Sequence, residues 1–234
     1  MQDFFLVIRY NLHPYDFYDF FKNLMTSSFL NKQDSTAFSS LPVYAVVLAG
    51  GKARRMHGKD KGLLHVNGRK LIDYTIENIS PQVDHVFISA NRHIPQYQTL
   101  GYPVLLDSFG DYAGPLAGIL SALENIHEDA LLLVVPCDMP ALPVDLVALL
   151  KQQLYAEGAD ICCIRQQHRI QPLLSIMHSR VHEHLKSYLQ SGRYKVQEWL
   201  QALHFSTVPL ENMHLLNINS ADELSKFKIQ ANHE

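Results

Sequence analysis

Two apolar runs constrain this chain more than any other feature: VYAVVL at Val43–Leu48 and ALLLVVP at Ala130–Pro136. Neither alternates apolar with polar residues, so each predicts a strand buried on both faces rather than one with a wetted side. HVFIS, PVLLD, DICCI, PLLSIM, FSTVPL and LLNI read as further strands. Helical stripes lie between them. Ile72, Ile76 and Ile79 share one face, and Leu116, Ile119, Leu120 and Leu123 make another behind Pro115, which starts a helix without losing a hydrogen bond. Val144, Val147, Leu150 and Leu154 predict a third helix, Val181, Leu185, Tyr188 and Leu189 a fourth, and Val196, Trp199, Leu200 and Leu203 a fifth. Ser220 and Glu223 form a capping box that starts a last one. The short GLLHV and RKL pieces flank an Asn67-Gly68 turn signal. Repeated βα units of this kind build an α/β fold, a Rossmann-like, mostly parallel sheet with helices on both faces.

The pattern begins only at Val43. Residues 1–42 are aromatic up to Phe21 and then polar, without strand–helix alternation, and read as an N-terminal extension. Two readings stand for it: a docking helix at YDFYDFFKNLM, or an over-long start with Met25 as the initiator. Residues 43–234 form a single domain, and 234 residues at 47% hydrophobic and 18% charged suit one folded core. No apolar run approaches the roughly 18 residues of a membrane span, and the N-terminus lacks the basic head and long apolar stretch of a signal peptide. Cys137, Cys162 and Cys163 form no metal spacing, which fits a reducing cytoplasm. His178, His182 and His184 lack a cysteine or HExxH partner and read as a polar helix face rather than a zinc site.

Charge is unevenly placed. The net charge is −3, which argues against a broad nucleic-acid-binding face, yet Lys52, Arg54, Arg55, Lys59 and Lys61 crowd into ten residues after the first strand. Mutually repelling cations in one loop await a small anion. The loop is not a Walker A loop: Gly51 precedes Gly58 by seven positions and Lys59 is followed by Asp60. It lacks the G-x-G-x-x-G of a dinucleotide fold as well, which removes a dehydrogenase. What remains is a double glycine, open to close approach of a ligand, followed by cations suited to a nucleoside triphosphate. In a doubly wound sheet ligands bind beyond the carboxyl ends of the strands. There the chain places the LAGG loop, Ser89–Arg92, Asp107 and Asp138.

These segments carry a resemblance. LAGGKARRMHGKDKGLL, DSFGDYAGPLAGILSAL and VPCDMPALP are similar to the successive motifs of the molybdenum cofactor guanylyltransferases, and QPLLSI and NINSADEL extend the similarity from about Val43 to Leu224. Ala-Gly-Gly together with Gly-Pro-Leu-Ala-Gly favours the guanylyl enzymes over their cytidylyl relatives, which usually carry Ala-Ala-Gly. The resemblance implies GTP on the backbone of Leu48, Ala49 and Gly50, with Lys61 on the triphosphate. It implies Asp107 beside the nucleoside, Asp138 as the Mg2+ ligand, and Asn217 and Asn219 facing the pterin. Asp138 and Lys61 are then the catalytic residues. His57 stands where the family commonly has Gly, and Ser89 where many members have an Asn that contacts GTP.

The implied reaction is attack by the terminal phosphate of molybdopterin (Mo-molybdopterin) on the α-phosphorus of GTP, releasing pyrophosphate. A phosphate is already a nucleophile, so no covalent intermediate is needed, and Cys137 reads as strand-end packing. Other cofactor-biosynthesis proteins and molybdoenzyme acceptors follow as partners, with no nucleic acid and no membrane. Competing readings are cytidylyl transfer to molybdopterin, transfer to a sugar- or cobinamide-phosphate, and a catalytically idle nucleotide-binding regulator. The last would be expected to lack the metal carboxylate.

Overall fold

Val43–Leu48 is strand β1, and Ala45, Val46 and Val47 are wholly enclosed, as an unbroken apolar run requires. The computed structural model describes residues 41–50, 60–109, 114–210 and Ile218. After β1 come the short strands β2 (His65–Val66) and β3 (Arg69–Lys70). They form a hairpin whose turn residues, Asn67 and Gly68, take φ of 48° and 80°, the left-handed pair of the expected tight turn. Helix α1 (Leu71–Ile79) leads to β4 (His85–Ser89), a five-residue helix α2 (Ile94–Gln98) and β5 (Val104–Leu105). Helix α3 (Pro115–Glu124) precedes β6 (Leu131–Pro136), and α4 (Leu146–Ala156) precedes β7 (Ile161–Gln166) and β8 (Arg169–His178). Helices α5 (His182–Gln190) and α6 (Val196–Gln201) and strand β9 (Phe205–Pro209) follow.

Among the described residues the main sheet has seven strands in the order β5-β4-β1-β6-β8-β7-β9. All neighbouring pairs are parallel except the two made by β8. Helices α1, α2 and α4 cover one face around Ala45, Val47, Leu131, Leu133 and Val135, and α3, α5 and α6 cover the other around Val46, Leu132 and Val134. Burying each leucine of β6 contributes about 2–3 kcal/mol, so the sheet centre is the principal source of stability. The mostly parallel sheet with helices on both faces is the expected architecture. Leu41 packs against the core and the carbonyl of Pro42 accepts from Leu131 N–H, so the two residues before β1 belong to the domain. Among the described residues no helix is long and apolar enough to cross a membrane.

One expectation is corrected. Val144 does not belong to the apolar stripe of α4: it precedes the helix and is 87% exposed, and Leu146 takes the buried first position instead. The strands read at 160–164 and 172–177 are both present. They are parts of one antiparallel hairpin, β7–β8, turned by Gln167 and His168 with φ of 45° and 67°. With no glycine or asparagine at the turn, nothing in the local sequence marks it. The strand expected at LLNI and the helix from Ser220 lie outside the described residues, save Ile218.

Candidate active site

The strand register assembles the site. Leu48 at the end of β1 stands between Ser89 and Pro136, the ends of β4 and β6, and Ser89 pairs with Leu105 of β5. Backbone bonds extend the ladder one residue further: Ala49 N–H donates to the Ser89 carbonyl (2.8 Å), Ala90 N–H to Leu105 (3.0 Å) and Cys137 N–H to Leu48 (3.1 Å). Leu48, Ala49, Gly50, Asn91, Asp107 and Asp138 therefore share one edge. From β1 the chain first builds outward through β4 and β5, then returns to place β6 on the other flank of β1. That reversal makes the β1/β6 gap the topological switch point, where ligands of such sheets bind.

Asp138 occupies the β6 side of the gap. It is 8% exposed, and its Oδ2 accepts from Lys61 Nζ at 2.9 Å, a bond across 77 positions of sequence. Its Oδ1 is buried with no hydrogen-bond partner. A buried carboxylate oxygen left unsatisfied is costly and calls for a reason. A hard divalent cation fits: Mg2+ takes oxygen ligands, often one carboxylate completed by phosphates and waters. Thr75 Oγ1, on α1, donates to the carbonyls of Cys137 and Met139 (both 3.2 Å), and Asn78 Nδ2 donates to that of Pro140 (2.9 Å). One helix edge thus braces the backbone on both sides of Asp138. Ile218 closes the third side, its N–H donating to the Asp138 carbonyl (3.0 Å) and its side chain buried with Val66 and Leu71.

Across the gap, Asp107 is held by Asn91. Asn91 Nδ2 donates to Asp107 Oδ2 (2.6 Å) while Asn91 Oδ1 accepts from Asp107 N–H (2.9 Å). Burial pushes the Asp107 carboxyl above the usual carboxylate range, and the bond from Asn91 opposes that shift. Asn91 also flanks Gly50: a Cβ there would lie 3.4 Å from Asn91 Nδ2. Sequence reasoning placed the 89–92 segment at this edge but missed Asn91 as its working polar group, because proximity to Asp107 arises only from β4–β5 pairing. Ser89 faces away from the edge. It is 3% exposed, and its hydroxyl lies under Gly118 of α3, where a Cβ would collide with it and approach Leu48 Cδ2 to 3.1 Å. Helix α3 thus lies directly on the sheet at a glycine that no other residue could replace without movement.

The remaining candidates divide. Lys52, Arg54, Arg55, His57, Lys59, Asn217 and Asn219 lie outside the described residues, although Ile218 puts the last two next in sequence to a contact of Asp138. Cys137 is buried and its thiol is pushed far up, chiefly by burial, which suits packing and not nucleophilic chemistry. His184 accepts from Trp199 Nε1 (3.1 Å) and His178 packs edge-on against Tyr155. His178 lies on strand β8 and so does not share a helix face with His182 and His184; among the described residues no three metal-ligating side chains converge.

A doubly wound sheet with a lysine–carboxylate pair at its switch point, and no P-loop, defines a class of phosphate-handling α/β proteins. A family profile described as the MobA-like NTP transferase domain matches residues 45–207. A molybdenum cofactor guanylyltransferase of Shewanella sp. strain MR-4 is 37% identical over 195 residues, covering 82% of this chain and 98% of that protein. The molybdopterin-guanine dinucleotide biosynthesis protein A of Archaeoglobus fulgidus has the same fold, with a TM-score of 0.66 at 23% identity over 82% of this chain and 100% of that one. So does a Mycobacterium tuberculosis protein solved in complex with manganese, with a TM-score of 0.55 at 16% identity over 81% of this chain and 98% of that one. The chain belongs to the MobA-like NTP transferase family and, within it, groups with the molybdenum cofactor guanylyltransferases.

Proposed function

We propose that this chain transfers GMP from GTP to the terminal phosphate of Mo-molybdopterin, giving the guanine dinucleotide form of the cofactor and pyrophosphate. The observation that carries the proposal is the meeting of Lys61 and Asp138 at 2.9 Å in the β1/β6 gap, with the second Asp138 oxygen buried and unpartnered. Asp138 would hold the divalent cation, taken as Mg2+. When bound, that ion supplies Lewis-acid polarisation and a template for the phosphates. The manganese complex of a protein with this fold supports a divalent metal here.

The chain's own residues do the rest. The Leu48–Ala49–Gly50 turn lets the nucleotide lie against backbone. Asp107, fixed by Asn91, accepts from a guanine N–H or a ribose hydroxyl. Lys61 neutralises triphosphate charge that grows as pyrophosphate departs, and Arg54 and Arg55 share that task. The acceptor phosphate oxygen bonds to the α-phosphorus as the bond to the bridging oxygen of the leaving pyrophosphate breaks. Asn217 and Asn219 are assigned to the pterin, an assignment supported by the contact of their sequence neighbour Ile218 with Asp138. Three buried free cysteines suit a reducing cytoplasm. Leu41 and Pro42 already contact the domain, and a chain starting at Ser40 should keep its melting temperature and GTP binding.

The test is GTP labelled in the α-phosphate, with Mg2+, in the presence and absence of molybdopterin. Label should enter the pterin product only when molybdopterin is present. Absence of transfer, or equal transfer from CTP, overturns the proposal.

A further inference from the structure

Lys61 is a long, flexible side chain, yet its ammonium is set on one oxygen of Asp138. The turn that carries it explains how. Lys61–Leu63 is a single 3-10 turn, closed by bonds from Leu63 N–H to the Asp60 carbonyl (3.2 Å) and from Leu64 N–H to the Lys61 carbonyl (3.1 Å). Asp60, directly before it, is only 8% exposed, and its Oδ1 accepts from the hydroxyl of Tyr97 at 2.6 Å. Tyr97 is completely buried on α2, the short helix after β4. Gly62 lies against the same hydroxyl: a Cβ there would come within 2.8 Å of Tyr97 Oη and 3.4 Å of Cys137 Sγ. The turn is therefore seated between the phenol of Tyr97 and the residue preceding Asp138.

Burying a carboxylate and a phenol costs solvation that an apolar pair of the same size would not. A packing role alone does not account for the choice, whereas a short directional bond does. Burial and the bond to Asp60 both push the Tyr97 hydroxyl far above its ordinary range, so it stays a donor throughout the working pH range.

We propose that Asp60 and Tyr97 are positioning residues, a buried strut that fixes the Lys61 turn so that the ammonium stands ready beside Asp138 for the triphosphate. The proposal rests on the reading of Lys61 as the phosphate-binding cation. Neither strut residue touches substrate; both act through Lys61.

A double-mutant cycle on the full-length protein tests this, with GTP affinity measured by calorimetry alongside melting temperature. Tyr97→Phe keeps the ring and should weaken GTP binding about three- to tenfold, the scale of one hydrogen bond. In a Lys61→Ala background the same change should leave GTP affinity unaltered while lowering the melting temperature as before. Asp60→Asn, which retains an acceptor for the hydroxyl, should bind GTP nearly as the wild type does, whereas Asp60→Ala should match Tyr97→Phe. Asp60→Ala also serves as the probe should Tyr97→Phe fail to fold. An equal loss of affinity in both backgrounds, or a loss of thermal stability alone, reduces the pair to packing and overturns the strut. Unchanged GTP affinity in Lys61→Ala by itself overturns the reading of Lys61 and the strut with it; normal weakening there with none from Tyr97→Phe overturns the strut only.

Discussion

The sheet carries a cation–carboxylate pair at each end, and the two differ in every respect that matters. At the amino end of β7, Arg180 donates through Nε and Nη2 to one oxygen of Asp160 (3.1 and 3.0 Å), with side-chain exposures of 58% and 28%. At the carboxyl ends, Lys61 meets Asp138 at 2.9 Å with exposures of 24% and 12%, and the second Asp138 oxygen is buried with no partner. A surface pair in water contributes little and asks for nothing further. A sheltered pair with an unsatisfied oxygen, braced by Thr75 and Asn78 through the neighbouring carbonyls, is a site held ready for something else. Geometry alone does not separate them, since their bond lengths are nearly equal. Burial and incompleteness do.

Charge-removing substitutions should break the two ends apart. Asp138→Asn keeps the shape and removes the charge for the cation, so guanylyl transfer should fall about a thousandfold or more at saturating Mg-GTP. Asp160→Asn should leave turnover within about twofold, as befits a surface pair. Near-normal turnover of Asp138→Asn would erase the distinction. Lys61→Ala should raise KM for GTP and lower kcat together, by about tenfold or more in kcat/KM, because its charge serves ground and transition states alike. Steady-state kinetics over a range of GTP concentrations reads both.

Smaller effects sharpen the picture at the nucleoside end. Asn91→Ala frees Asp107 and should reduce the preference for GTP over ATP, which we expect to be at least about tenfold in the native protein, by several-fold. Competition binding with the two nucleotides measures it. Asp107→Asn should weaken GTP binding yet slightly raise the melting temperature at neutral pH. The sign follows from burial, which lifts the folded carboxyl above its unfolded value. The ionised group then costs stability above that range and nothing once pH falls below the unfolded value, where the two melting curves should converge. Smallest of all, Arg180→Ala should change unfolding free energy by no more than about 1 kcal/mol and leave nucleotide binding alone, as denaturant titration would record.

Some of this was legible in the chain and some was not, for identifiable reasons. The doubly wound sheet was legible because Val43–Leu48 and Leu131–Pro136 are apolar throughout, and only burial on two faces satisfies such strands. The β7–β8 hairpin was hidden because Gln167 and His168 adopt left-handed conformations without a residue that advertises them. Val144 misled because helical spacing cannot show where a helix starts, and α4 begins two residues later. Asp107, Asp138 and Lys61 could be named as candidates because each follows a strand or belongs to a cation cluster. Asn91, Thr75, Asn78, Asp60 and Tyr97 could not, since each bonds to a residue remote from it in sequence.

By itself, then, the sequence determined the alternation of elements and the edge at which the candidate residues gather, and it supplied the cation cluster from which a triphosphate ligand is proposed. Those follow from local periodicity and from residue chemistry at strand ends, neither of which needs the fold. Only the tertiary structure decided that Lys61 and Asp138 meet, that one Asp138 oxygen is left unsatisfied, and that the Tyr97 hydroxyl bonds to Asp60 at the start of the Lys61 turn. The reason is physical: these contacts join residues up to 77 positions apart, and strand register together with helix packing, not local preference, sets which side chains end within bonding distance.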